Sequence, residues 1–83
     1  MNRILIKLYV PTIDEQYDIW IPSNRRTYNV ILLLIKAIYE LSGKYYQPTV
    51  MPMLWEKTSA KQYDINLTIK QNNIRNGAEM ILL

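Results

Sequence analysis

The sequence predicts an α+β domain, with one helix packed on a mixed sheet of four or five strands. Three observations predict it. A single long helical signal runs from Thr27 to Leu41, TYNVILLLIKAIYEL. Two alternating segments precede it, Arg3 to Val10 and Tyr17 to Ile21. Short apolar segments follow it, and the last is Ala78 to Leu83.

The first alternating segment sets Ile4, Ile6, Leu8 and Val10 on one side and Arg3, Leu5, Lys7 and Tyr9 on the other. Period two with β-branched residues is the mark of a half-buried strand. Pro11 to Gln16 is polar and turn-like. Tyr17, Ile19 and Ile21 then alternate with Asp18 and Trp20. So short a connection makes the pair an antiparallel hairpin, and Pro22-Ser23-Asn24 ends its second strand.

On a wheel at about 100° per residue, Tyr28, Ile31, Leu32, Leu34, Ile35, Ile38, Tyr39 and Leu41 fill about half the helix circumference. Asn29, Lys36 and Glu40 share the opposite side with Leu33, and Val30 and Ala37 lie on one flank. The apolar face is wider than the stripe of ~100° usual for a surface helix, so the rest of the chain is expected to wrap it. A bilayer span needs about 20 mostly apolar residues, and this helix is shorter and broken by Lys36 and Glu40. Direct membrane insertion is therefore not expected. Thr27 is the expected N-cap, and Ser42-Gly43 the stop, with Gly free to turn left-handed.

Beyond Gly43, Pro48 and Pro52 hold the loop extended. Met53 to Lys57 is a candidate short strand, Thr58 to Lys61 a turn, and Gln62 to Leu67 the candidate fifth strand. Ile69 to Ile74 is a compact polar segment anchored by its two isoleucines, and Asn76-Gly77 is a turn that tolerates positive φ. Eighty-three residues make one domain, residues 1–83. A chain this size buries a little over ~60% of its unfolded surface.

Composition narrows the chemistry. The chain has no Cys and no His, which removes disulfides, thiolate sites, and the commonest general base and metal ligand. No metal, cofactor or catalytic group is expected. MNRILIKLYV begins like a signal peptide, but Lys7 breaks the apolar run and no small-residue cleavage site follows. The expected location is the cytoplasm. A net charge of +3, with Arg25-Arg26 as the one basic pair of note, falls short of the basic stripe of a nucleic-acid binder.

The order strand, strand, helix, strand, short piece, strand is that of a β-grasp, and it resembles ubiquitin in order and length. The most telling stretch is IKQNNIRNGAEMIL. In ubiquitin-like chains an apolar residue, a short polar turn and a second apolar residue five positions on precede the last strand; Ile69 and Ile74 stand there. Asn76-Gly77, running straight into the strand, is similar to the small bacterial YukD or EsaB family. The resemblance spans the whole chain in element order, but its motif covers only about the last fifth and is degenerate. It implies a cytoplasmic accessory or regulatory factor of type VII secretion in Gram-positive bacteria, whose partner is a secretion-machinery protein. It also implies no conjugation chemistry. The sequence ends Ile81-Leu82-Leu83, where a modifier or sulfur carrier needs Gly-Gly, so activation by adenylylation is not expected. Two alternatives stay open: a β-grasp carrier whose Gly-Gly tail is absent, and a β-grasp RNA-binding module.

Most polar features have a plain structural reading. Asp14-Glu15, with Asp18 nearby, reads as a solvated hairpin turn rather than a metal site. Arg25-Arg26 reads as a solvated helix start rather than a phosphate site. Asp64 can pair with Lys61 or Lys57, a surface pair of little consequence. Tyr45-Tyr46 either binds a partner or folds back over the helix, and Met51 and Met53 are adaptable gap fillers.

The sharper signal lies on the sheet face turned away from the helix. In a β-grasp sheet the first strand is central, with the second and last beside it. Leu5, Lys7 and Tyr9 would then face outward with Trp20, Glu79, Ile81 and Leu83. Leu5, Trp20 and Ile81 are expected to form a continuous apolar stripe, joined by Leu54 or Trp55. Such a patch on a small domain marks an interaction site, and Trp is favoured at hot spots. The candidate protein-binding residues are Leu5, Lys7, Tyr9, Trp20, Trp55 and Ile81. They would contact a protein partner or a second copy of the chain.

Overall fold

Alternation decides the first two strands of the computed structural model, which describes residues 2–83. β1 (Arg3–Val10) and β2 (Glu15–Pro22) pair antiparallel in unbroken register, from Arg3 opposite Pro22 to Val10 opposite Glu15. A single 3-10 turn, Pro11–Ile13, joins them. It closes on Asp14 at φ 50°, whose N–H donates to the Pro11 carbonyl at 3.1 Å. Asp is one of the few residues that visits this region readily. The strand therefore starts two residues before the expected Tyr17.

After α1 (Thr27–Leu41), β3 (Leu54–Glu56) and β4 (Glu79–Leu82) complete a sheet ordered β2-β1-β4-β3. β4 lies parallel to β1, and β3 antiparallel to β4. The sheet is thus mixed, with β1 central, as expected. Four strands are present among the described residues, and the fifth is not formed. Gln62 makes only an isolated bridge to Trp55, and Thr68 one to Arg26. Local hydrogen bonds win that stretch from the sheet. The Asp64 carboxylate accepts the Asn66 N–H at 2.9 Å in an Asx turn, and Lys57 pairs with Glu79 instead. Thr68 and Gln71 satisfy each other's N–H at 2.9 and 3.0 Å. That is a capping box opening one helical turn.

The core sits between the sheet and one face of α1. Ile6, Leu8 and Val10 of β1, Ile21 of β2, Leu54 of β3 and Met80 and Leu82 of β4 meet Val30, Ile31, Leu34 and Ile38. Ile69, Ile74 and Tyr46 close its margins. The helix face is narrower than expected. Val30, assigned to a flank, is buried, whereas Tyr28, Leu32 and Leu41 are exposed and Ile35 and Tyr39 are half-buried. Ile4 and Ile19 lie at the same half-buried margin of the core. Four strands cover one side of a helix, and here the loops reach only its edges.

Both ends of α1 are tied. Thr27 is not its N-cap: Arg26 holds that position without a side-chain cap. Thr27 is the first helical residue, fully buried, and its hydroxyl donates to the Leu67 carbonyl at 2.9 Å. At the C-terminus Gly43, at φ +69°, lets the Gly43 N–H reach Glu40 O at 3.2 Å and the Lys44 N–H reach Tyr39 O at 2.7 Å. These bonds satisfy carbonyls the helix leaves open. The two loop tyrosines then part company, Tyr46 buried and Tyr45 exposed. Met51 packs against the core from the same loop.

Burial raises the Tyr46 hydroxyl pKa above its ordinary 10.0. Burial, with the Glu56 charge behind it, does the same for Tyr63. Above pH ~10 the unfolded chain loses these protons before the folded one does, so the folded state holds more protons and stability falls as pH rises. Below that pH the contribution is fully present. Tyr46→Phe is expected to flatten the loss, which urea titrations between about pH 9 and pH 11.5 would read. An unchanged slope would mean that the Tyr46 hydroxyl is solvated.

Candidate interaction face of the sheet

The register fixes what the outer face displays. Leu5 lies opposite Trp20, Lys7 opposite Asp18 on one side and Glu79 on the other, and Tyr9 beside Ile81, which lies beside Trp55. These residues alternate with buried Ile6, Leu8, Met80, Leu82 and Leu54, so their side chains share the face away from α1. All six expected site residues therefore stand on one face, spread over all four strands.

They do not form one stripe. Ile81 pairs with Tyr9 rather than Leu5, because β4 runs parallel to β1 and begins level with Lys7. Leu54 points into the core and takes no part. The face instead carries two apolar patches. One is Leu5 with Trp20, which is 56% exposed. The other is Tyr9, Ile81 and Trp55. Along β1 their centres are four residues apart, or about 13 Å.

Between them runs a row of alternating charge. Asp18, Lys7 and Glu79 are cross-strand neighbours. Lys57 Nζ approaches Glu79 Oε1 at 3.7 Å, and its backbone N–H donates to Glu79 O at 3.1 Å. This ion pair is half-exposed, so it adds little to stability. What the row supplies is a charge pattern that a partner must match.

Each patch is held by polar contacts at its rim. The Arg3 guanidinium lies 5.5 Å from the Trp20 ring centroid, a cation–π contact of ~0.5–1 kcal/mol at an exposed site. The Tyr9 hydroxyl donates to Asp14 Oδ1 at 2.8 Å. That bond, with smaller contributions from desolvation and the Asp14 charge, raises the Tyr9 pKa. Trp55 Nε1 donates to the Leu83 carbonyl at 3.1 Å. The Asn76-Gly77 turn anchors β4 beside β1. Asn76 Oδ1 accepts the Leu5 N–H at 2.7 Å, and Gly77, at φ +86°, donates its N–H to Leu5 O at 2.7 Å. Leu5 is thus pinned by the turn that starts β4. The Arg25-Arg26 pair is exposed at the start of α1.

No protein-family model matches the chain, and no curated protein matches it in sequence. Solved structures do. The EccD5 ubiquitin-like domain from Mycobacterium xenopi superposes with a TM-score of 0.80 at 13% identity, over 100% of this chain and 94% of that one. The ubiquitin-like domain of the Mycobacterium tuberculosis type VII secretion system protein EccD1 gives 0.79 at 9% identity, over 100% and 99%. A chain of a toluene 4-monooxygenase complex gives 0.76 at 10% identity, over 96% and 95%. One backbone thus serves both secretion proteins and an oxygenase complex, and function must be argued from the surface. The likeness, with the strand order and single helix, makes this fold a ubiquitin-like β-grasp.

Proposed function

We propose that the chain is a non-enzymatic ubiquitin-like interaction module. It works in the cytoplasm of a Gram-positive bacterium as an accessory or regulatory factor of type VII secretion, in the manner of YukD and EsaB. Its ligand is a protein of the secretion machinery, docked on the outer sheet face. The observation that carries the reading is that face itself: two aromatic-apolar patches flank an ordered charge row. An apolar surface of this kind is where small domains bind proteins, and the exposed Trp20 is its natural anchor. The likeness to EccD ubiquitin-like domains supports the choice of machinery. No helix among the described residues is long and apolar enough to cross a membrane.

The test is Trp20→Ala, alone and with Trp55→Ala. Binding to purified membrane subunits of the type VII apparatus from the same cell is measured beside thermal stability and sedimentation. Trp20→Ala is expected to keep the fold, since its ring is exposed, and to weaken binding by roughly thirtyfold, the scale of a hot-spot residue. Unchanged affinity would remove the reading. Loss of self-association in place of partner binding would reassign the face to a homodimer.

A further inference from the structure

β2 is an edge of the sheet, and its outer side has no strand partner among the described residues. The direction of its free backbone groups follows from β1. The Leu5 N–H and C=O bond Asn76 and Gly77, and the Lys7 N–H donates to Ala78 O at 2.9 Å. Leu5 and Lys7 thus turn their backbone toward β4. In an antiparallel pair the residues opposite them turn theirs the other way. So the N–H and C=O groups of Trp20 and Asp18, and by alternation Gln16, point out of the sheet.

Natural edges are blunted by bulges, internal prolines or a covering element. β2 has unbroken register over all eight residues, and its one proline, Pro22, stands at the end. Its protection is charge: Asp14, Glu15 and Asp18 are three of the seven acidic residues in the chain. On the helix side of the strand lies a groove of ≈ 520 Å³ lined by Ile13, Tyr17, Leu41 and Tyr45, with Thr12, Glu15 and Ser42. Leu41 is 60% exposed and Tyr45 84% exposed.

We infer that this edge takes an extended basic peptide as an additional strand. The free ladder groups demand an extended backbone. Alternation then sends every second peptide side chain toward Asp18 and the others toward the Tyr17–Leu41 groove. The fitting sequence alternates Lys or Arg with apolar residues. A second copy of this chain is the poorer occupant, because it brings the same acidic residues to the new ladder. The site borders the outer face and shares Asp18 with its charge row, but its test reads the free backbone amides of β2 and the groove residue Leu41, on which the outer-face reading does not depend.

The probe is an end-blocked peptide alternating valine and lysine, compared with one alternating valine and glutamate. Titration is followed by amide hydrogen exchange. The lysine peptide is expected to bind and to protect the Gln16, Asp18 and Trp20 amides. Asp18→Lys should lower affinity for the lysine peptide by roughly two- to tenfold and move preference toward the glutamate peptide, as cross-strand charge pairs do. Leu41→Ser, at an exposed position, should weaken the lysine peptide's binding by taking apolar contact from the valine side of the groove. If Asp18→Lys does not fold, Asp18→Asn should give a loss of the same sign and smaller size. No binding of the lysine peptide would overturn the inference. So would protection confined to other amides, or an Asp18 variant with the preference unchanged.

Discussion

Ile38→Ala is expected to lower the free energy of unfolding by ~2–5 kcal/mol, the range for truncating a large buried aliphatic side chain. Ile38 is fully buried and lies one turn from the helix end, where its carbonyl also accepts the Ser42 N–H at 2.8 Å. A domain of this length has of order 4–12 kcal/mol in all, so the loss could take a third or more of it. Ile35→Ala is the control. Ile35 is apolar and on the same helix but sits half-buried at the core margin, so its truncation should cost under ~2 kcal/mol. Leu32→Ala, at a site 43% exposed, should fall within about 0.5 kcal/mol of wild type. Denaturant titrations of the three give the order directly. If Ile35 and Ile38 cost the same, the helix is rotated from its described setting.

That comparison marks where the sequence was legible and where it was not. Alternation in Arg3–Val10 set the face of every residue in β1, because a strand has only two faces and one must be apolar. The helix was harder. Its apolar residues cover half the wheel, and periodicity says only that such a face prefers cover. Which part obtains it depends on how far a four-stranded sheet and two loops reach. Tyr28, Leu32 and Leu41 could not be told from Val30 by pattern alone, since the difference lies in the tertiary partner. Just beyond the candidate fifth strand, Thr68-Ile69-Lys70-Gln71 has capping-box spacing, a local signal for a helical turn rather than a strand.

The outer face was legible in membership but not in layout. Each of Leu5, Lys7, Tyr9, Trp20, Trp55 and Ile81 alternates with a core residue, so its face followed from the same count of two. Their grouping depends on register between strands far apart in sequence. β4 begins level with Lys7 because the Asn76 side chain and the Gly77 N–H grip Leu5. That long-range contact moves Ile81 beside Tyr9 and puts Glu79 beside Lys7. One apolar stripe thereby becomes two patches with a charge row between them.

The segment that carries Asn76 is itself fastened through a partly buried polar cluster around Thr27, and breaking that cluster should be the other large effect. Thr27 Oγ1 donates to Leu67 O and accepts from Asn72 Nδ2 at 2.9 Å. Asn72 Nδ2 also donates to Asp64 O at 2.8 Å, and its Oδ1 accepts the Asp64 N–H at 3.2 Å. Two side chains thus clamp the first turn of α1 to residues 64–72. Thr27→Val keeps the shape and removes two bonds, at a net ~0.5–1.5 kcal/mol each, and leaves the half-buried Asn72 amide short of one acceptor. Asn72→Ala removes three bonds at once, at a net ~0.5–1.5 kcal/mol each, so its loss should exceed that of Thr27→Val. The double variant should cost less than the sum, with a coupling of ~0.5–3 kcal/mol, because each single change already forfeits the shared bond. Additivity within about 0.3–0.5 kcal/mol would mean that the two side chains act separately. Hydrogen exchange adds a spatial check. The Ile69 N–H, which donates to Arg25 O at 3.1 Å, should lose protection in both single variants, while the β1–β2 ladder keeps its own. If only the ladder responds, the clamp is not what seats this segment against the helix.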